Sequence, residues 1–257
     1  MPVCSGKFYP SDPSQLNRMV TDFVSAAKVA GDVTAKAIIA PHAGYIYSGV
    51  VAGAAFARFE RDHEAIRKIV LLGPSHRVSF EGIALSHAEA FGTPLGAVSV
   101  DKEAIDQIRT LPQVRVFEAA HEHEHSLEVE LPFLQAVLDE FSIVPLVVGQ
   151  ATDQEICEVI EKLWGGRETR IVVSSDLSHY HDYKTARQID QETARSIEEC
   201  GGEKIGSKQA CGYLPIRGLL RSARHHALEA QTVDLRNSGD TAGPRDRVVG
   251  YGAFALN

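Results

Sequence analysis

Residues 36–44 read KAIIAPHAG, a short apolar run that ends in a proline and then a histidine. The same grammar returns at 68–76, KIVLLGPSH, and at 170–179, RIVVSSDLSH. None of the three runs alternates polar with apolar residues, and none is long enough for a helix, so each reads as a strand covered on both faces. SIVPLVV at 142–148 and VVGYGAFAL at 248–256 extend the set. Amphipathic segments lie between. Ser11-Asp12-Pro13 offers a cap and a first-turn proline to a helix whose Leu16, Met19, Val20, Phe23 and Ala27 share a stripe. Thr152 and Glu155 form a capping box ahead of Ile156, Val159, Ile160 and Leu163, with Gly165 closing that helix. Strands alternating with helices imply an α/β fold with a central, mainly parallel or mixed sheet flanked by helices. No repeat, low-complexity tract or linker interrupts the chain, so residues 1–257 read as a single domain. The polar stretch RNSGDTAGPRD, 236–246, is expected to be a mobile loop.

Lys and Arg number 26 against 34 Asp and Glu, a formal net charge of -8, with no segregated basic run. Such a surface repels phosphate backbones, which excludes nucleic acid as the expected partner. The first ten residues, MPVCSGKFYP, have neither the basic nor the apolar region of a leader, and no later segment has the roughly 18 apolar residues of a membrane span. A cytoplasmic protein with no membrane partner is expected. Cys4, Cys157, Cys200 and Cys211 are far apart and form no C-x-x-C pair, which reads as free thiols.

Chemistry collects where the strands stop. His42, His76 and His179 each lie just beyond the C-terminal end of a predicted strand. In open α/β sheets the loops at that edge converge on one crevice, and three imidazoles delivered there make a metal or acid–base site. His63, His87, His225 and His226 have no such placement and read as structural or solvated. Cys211 precedes Gly212 and a helix expected to start near Pro215. A helix N-terminus makes a thiol easier to ionise, so Cys211 is either a soft metal ligand or a small buried hydrophobe. Cys157, inside the capped helix, and Cys200, at a helix end, read as packing residues. In AAHEHEHSLEVELPFL, 119–134, alternating histidines share a face only if extended, so one ion held by His121, His123 and His125 together is not expected. That segment is a polar entry to the helix carrying Leu127, Leu131 and Leu134, or a source of carboxylates that orient ligand imidazoles. Tyr45 and Tyr47 either border the pocket or pack behind the loop.

The blocks Gly6-x-Phe8-Tyr9-Pro10, Pro41-His42-Ala43-Gly44-Tyr45, Gly73-Pro74-Ser75-His76, His125-Ser126-Leu127-Glu128, Ser174-Ser175-Asp176-Leu177-Ser178-His179 and Cys211-Gly212 occur in order along the chain. Together they resemble the Memo family, whose microbial members occur as protein B of the AmmeMemoRadiSam group. The resemblance implies a fold similar to the class III extradiol dioxygenases. It also implies a functional association with a radical SAM protein of the same system. His42, His76 and Cys211 match the family's metal-contacting residues, and Asp176 and His179 match polar residues of the same pocket. In the dioxygenases two histidines and a glutamate hold ferrous iron. A thiolate in place of the carboxylate donates more charge and is itself oxidisable, so catechol cleavage does not carry over.

Two functional expectations follow. One is a redox, dioxygenase-like protein in which His42, His76 and Cys211 bind Fe(II) or copper, with zinc as a substitute. His179 then moves a proton while Asp176 fixes its tautomer, and Tyr45, Tyr47, Ser75, His125 and Glu128 line the pocket or stand behind the ligands. Its ligand is a small molecule or a peptide. The other is a non-catalytic module that keeps the pocket and binds a peptide or protein. A serine hydrolase using Ser75 or Ser178 lacks the G-x-S-x-G elbow.

Overall fold

The computed structural model describes residues 2–27 and 34–257. Among them eleven strands share one curled sheet: β1 (Ala37–Ala40), β2 (Lys68–Pro74), β3 (Ile83–Leu85), β4 (Ala90–Thr93), β5 (Gly96–Val100), β6 (Val114–Val116), β7 (Ser142–Val148), β8 (Thr169–Ser174), β9 (His179–His181), β10 (Ala230–Asn237) and β11 (Val248–Leu256). Eight helices flank it: α1 (Pro13–Ser25), α2 (Tyr45–Phe56), α3 (Lys102–Ile108), α4 (Glu118–His121), α5 (Leu131–Val137), α6 (Asp153–Lys162), α7 (Tyr183–Glu198) and α8 (Tyr213–His225). The main path runs β10-β11-β1-β8-β2-β7-β3-β6. Its centre, β1-β8-β2-β7, is parallel, while β11 and β3 join antiparallel on either side. The α/β class and mixed sheet expected from the sequence are therefore present.

The central strands are apolar on both faces because both are covered. Ile38, Ile69, Leu71, Ile143 and Val172 point to the layer containing Leu16, Val20, Phe56 and Phe133. Their neighbours Ile39, Val70, Leu72, Val144 and Val173 point to the layer containing Ile160, Ile197, Ile216 and Leu220. The period of two thus survives as a division between two cores, invisible as polarity. Asp12 caps α1 by accepting from the Gln15 amide, and the Thr152–Glu155 box caps α6, as read from the sequence. The 236–246 stretch differs from expectation. Arg236 and Asn237 finish β10, and Asn237 and Asp240 form a capping box that, with the Gly243 amide bonded to the Ser238 carbonyl at 2.7 Å, orders the turn.

The strand order decides where the site lies. β8 runs between β1 and β2, with Ala40 opposite Ser174 and Leu72 opposite Val173, so the three C-terminal ends meet side by side. A fourth segment reaches that edge from the 125–128 loop, and Gly73 lets it in. A Cβ on Gly73 would stand 2.6 Å from Ser126 Oγ and 2.8 Å from Leu127 Cδ2. Gly73→Ala should therefore force the loop off β2 and lower stability by about 1–3 kcal/mol. Urea unfolding of the metal-free proteins checks this as a lower midpoint at unchanged slope.

Candidate metal centre

Pro41 ends β1, and the backbone amide of His42 then donates to Asp176 Oδ1 at 2.9 Å, which fixes the loop to the end of β8. The His42 ring is buried, with Nδ1 2.7 Å from Ser174 Oγ. Ser174 Oγ also lies 2.6 Å from the Ser126 carbonyl and 2.7 Å from Glu130 Oε1. Counting protons settles this cluster. Both oxygen–oxygen contacts need a proton, a hydroxyl carries only one, and a carbonyl carries none. The second proton therefore sits on Glu130, which is a neutral acid donating to Ser174, while Ser174 donates to Ser126. Burial, the largest influence on Glu130, pushes its pKa well above the carboxylate range, and its Oε2 is buried without a partner. With the Ser174 proton committed, His42 Nδ1 must donate as well. Its Nε2 lone pair is left facing outward, 3.3 Å from Cys211 Sγ.

His76 is set in the same way by an acid in the opposite charge state. Glu124 accepts from His76 Nδ1 at 2.8 Å and from the backbone amides of His76 (2.6 Å), His125 (2.9 Å) and Ser126 (2.9 Å). Burial raises its pKa, yet the bonds from His125 and His76 outweigh that and hold the carboxyl well below its usual range. An ionised Glu124 fixes the proton on His76 Nδ1 and leaves Nε2 free, the arrangement typical of an imidazole ready to ligate.

His125 joins these two. Ring nitrogens of His42, His76 and His125 lie within 4.8 Å of one another, with ring centroids 4.6–5.2 Å apart. His125 Nδ1 faces the same acid, 3.2 Å from Glu124 Oε1, an ion-pair contact without good hydrogen-bond alignment. Cys211 meets this cluster through His42. Its amide donates to the Asp176 carbonyl, and Ser175 Oγ is 3.8 Å from its sulfur. Burial, reinforced by Asp176, pushes the thiol up to about 12. The helix N-terminus acts in the direction expected from sequence, since the Gly212 amide lowers the thiol's pKa, but it does not prevail. Desolvation outweighs the Gly212 bond here.

The remaining expected residues take definite places. His179 Nδ1 is 2.8 Å from the Leu177 carbonyl, so its tautomer is set by its own backbone and not by Asp176, which instead accepts the amides of His42 and Ala43. Tyr180 beside it holds φ 63°, an uncommon conformation for a residue with a side chain. Tyr45 packs behind the loop, donating to the Val129 carbonyl at 2.7 Å and touching Tyr9 and Phe133, while Tyr47 is partly exposed. Ser75 Oγ donates to the Val78 carbonyl. Glu128 orients no imidazole. It accepts from the Val3 and Cys4 amides and the Tyr9 hydroxyl, pinning the N-terminal segment so that Phe8 lies against His125. His121 bonds to the Ala84 carbonyl and His123 faces solvent. Glu124, Glu130 and Ser174 were not foreseen as site residues. A cleft of about 380 Å³ opens beside His76 and Cys211, bordered by Arg77, Phe80, Gln150 and Tyr213.

Ser174→Ala should strand Glu130, the Ser126 carbonyl and His42 Nδ1 together, at a cost of about 1–3 kcal/mol by urea unfolding, whereas Glu130→Gln should cost less because an amide still donates. Asp176 gives a pH test. Burial, opposed by the His42 amide bond, raises it from an ordinary 3.8 to about 7. Below 3.8 folded and unfolded forms both hold the proton, and the penalty for ionising the folded form grows as pH rises to about 7. The metal-free wild type should therefore lose stability relative to Asp176→Asn across that window and run parallel to it above, as thermal melts at successive pH values would show.

The sequence model described as Memo-like protein matches residues 1–255. A MEMO1 family protein of Aquifex aeolicus is 36% identical over 262 residues, covering 97% of this chain and 96% of the relative. A second, from Archaeoglobus fulgidus, is 36% identical over 269 residues, covering 99% and 98%. A third, from Nitrosopumilus maritimus, is 29% identical over 270 residues, covering 98% of each. With the whole chain matched, the protein belongs to the Memo family.

Proposed function

We propose that this protein is a non-haem metal protein of dioxygenase-like character, in which His42, His76 and Cys211 hold an Fe(II) or copper ion and His125 completes the imidazole cluster. Zinc could substitute. The observation that carries this reading is the set of prepared lone pairs. Two buried or half-buried imidazoles have their Nδ1 protons committed to Ser174 and Glu124, a third, His125, brings a ring nitrogen within 4.8 Å of theirs, and a thiol lies 3.3 Å from His42 Nε2. Nitrogen and sulfur donors together suit iron, copper or zinc and disfavour magnesium or calcium. When bound, iron or copper would supply the electron-transfer chemistry that no side chain here performs alone.

The chain's own groups have separable parts. Glu124 and Ser174 hold the imidazoles in one tautomer and one orientation. Asp176 stiffens the turn that carries His42. His179, with Nδ1 donating to Leu177, offers Nε2 to take or give a proton, and burial keeps that ring neutral by lowering its pKa. The cleft beside His76 and Cys211 admits a small molecule or the side chain of a peptide.

Protein purified without oxygen should carry about one equivalent of iron or copper, and His42→Ala, His76→Ala and Cys211→Ala should each retain less than about a tenth of it by elemental analysis. Full iron or copper content in all three variants would overturn the reading. A second reading, a non-catalytic peptide- or protein-binding module, is favoured by Ile46 and Tyr180, 62% and 63% exposed on residues close to His42 and His179 in the chain. An affinity for partner that is unchanged by stripping the metal would select it.

A further inference from the structure

Away from the imidazole cluster, α6 and α8 pack lengthwise, and Gly218 permits it, since a Cβ there would stand 2.3 Å from Ile156 Cγ2. Cys157 and Glu161 are one turn apart on α6 and face the C-terminal end of α8, where His225 is the last helical residue. One ligand atom from each of Cys157, Glu161 and His225 lies within 4.8 Å of the other two. The sulfur is 3.8 Å from His225 Nδ1, and that nitrogen is 3.7 Å from Glu161 Oε1. Ligands of these types on a tetrahedral zinc stand about 3.3–3.6 Å apart, so these two spacings need to close by only a few tenths of an ångström.

The surroundings match such an ion on independent grounds. Glu161 Oε1 is buried and has no hydrogen-bond partner, while its other oxygen, Oε2, is 2.9 Å from His226 Nε2. His226 is itself stacked on Trp164 with ring centroids 3.7 Å apart, which fixes the carboxylate so that the unsatisfied oxygen faces His225. Buried Ser222 donates to Cys157 Sγ at 3.2 Å, the kind of bond that steadies a metal-bound thiolate. The C-terminal end of a 13-residue helix adds partial negative charge. An ordinary ion pair between Glu161 and His225 explains neither the unpaired oxygen nor the sulfur.

We propose that Cys157, Glu161 and His225 form a second metal site, for a divalent cation of zinc's class, that clamps the middle of α6 to the end of α8. Binding displaces the Cys157 thiol proton to solvent, with no change of oxidation state. On this proposal Cys157, read from the sequence as a packing residue, and His225, read as structural or solvated, would be ligands.

The test uses Co(II) as the probe and the Cys211→Ser protein, stripped with chelator, so that no sulfur remains in the imidazole cluster. This protein should develop a near-ultraviolet thiolate-to-cobalt charge-transfer band that saturates at one equivalent, and the band should vanish when Cys157→Ser is added. Glu161→Gln and His225→Gln, both on partly exposed side chains, should each weaken the band-forming affinity at least about tenfold. They decide the matter if Cys157→Ser does not fold. Failure of the Cys211→Ser protein to show the band, its persistence after Cys157→Ser, or undiminished affinity in Glu161→Gln and His225→Gln would overturn the proposal.

Discussion

The Ser174 hydroxyl is the point on which the arrangement turns. It closes β8, the strand between β1 and β2, and touches a ring nitrogen from the β1 loop, a carbonyl from the 125–128 loop and a carboxyl from the segment that follows. One oxygen with one proton cannot serve three neighbours unless their protons are distributed in a single way. That distribution makes Glu130 neutral, gives His42 its tautomer and aims Nε2 outward. A loop, a strand end and a helix entry are thereby joined by stoichiometry as much as by distance.

Two glutamates six residues apart, Glu124 and Glu130, are driven to opposite charge states by what surrounds them. Glu124 is met by four N–H groups and stays ionised, while Glu130 is met by one hydroxyl and takes a proton. Both are buried, so desolvation alone cannot sort them. The number of donors does. The anion orients His76, the neutral acid supports His42 at one remove through Ser174, and the two imidazoles end up presenting the same kind of nitrogen to the same space.

The sequence displayed the parallel centre of the sheet clearly, because strands covered on both faces are uniform apolar runs bounded by Pro, Gly and Ser. It displayed His42, His76 and Cys211 for the same reason, since each stands at the punctuation after such a run or before a helix. It placed His125 at the pocket but not as a third imidazole of the cluster, because its approach to His76 depends on Gly73 lacking a side chain, a constraint between residues some fifty positions apart. Glu124 was hidden by its exposed neighbour His123, because composition cannot say which member of an alternating run turns inward. β4, largely exposed, and the three-residue β6 and β9 leave too little periodicity to find. The 236–246 stretch looked like a loop because Asn237 and Asp240 favour turns, and the turn they make is a tight one at the foot of a strand.

Helix α8 begins two residues after Cys211 and ends at His225. At about 1.5 Å per residue this is a rod of about 20 Å with a sulfur at one end and an imidazole at the other. A stiff rod does not bend to absorb a displacement; it pivots. A small tilt of its outer end, where it lies on α6, would swing the inner end sideways, so the spacing between the Cys211 sulfur and His42 is answerable to a part of the surface that neither residue touches.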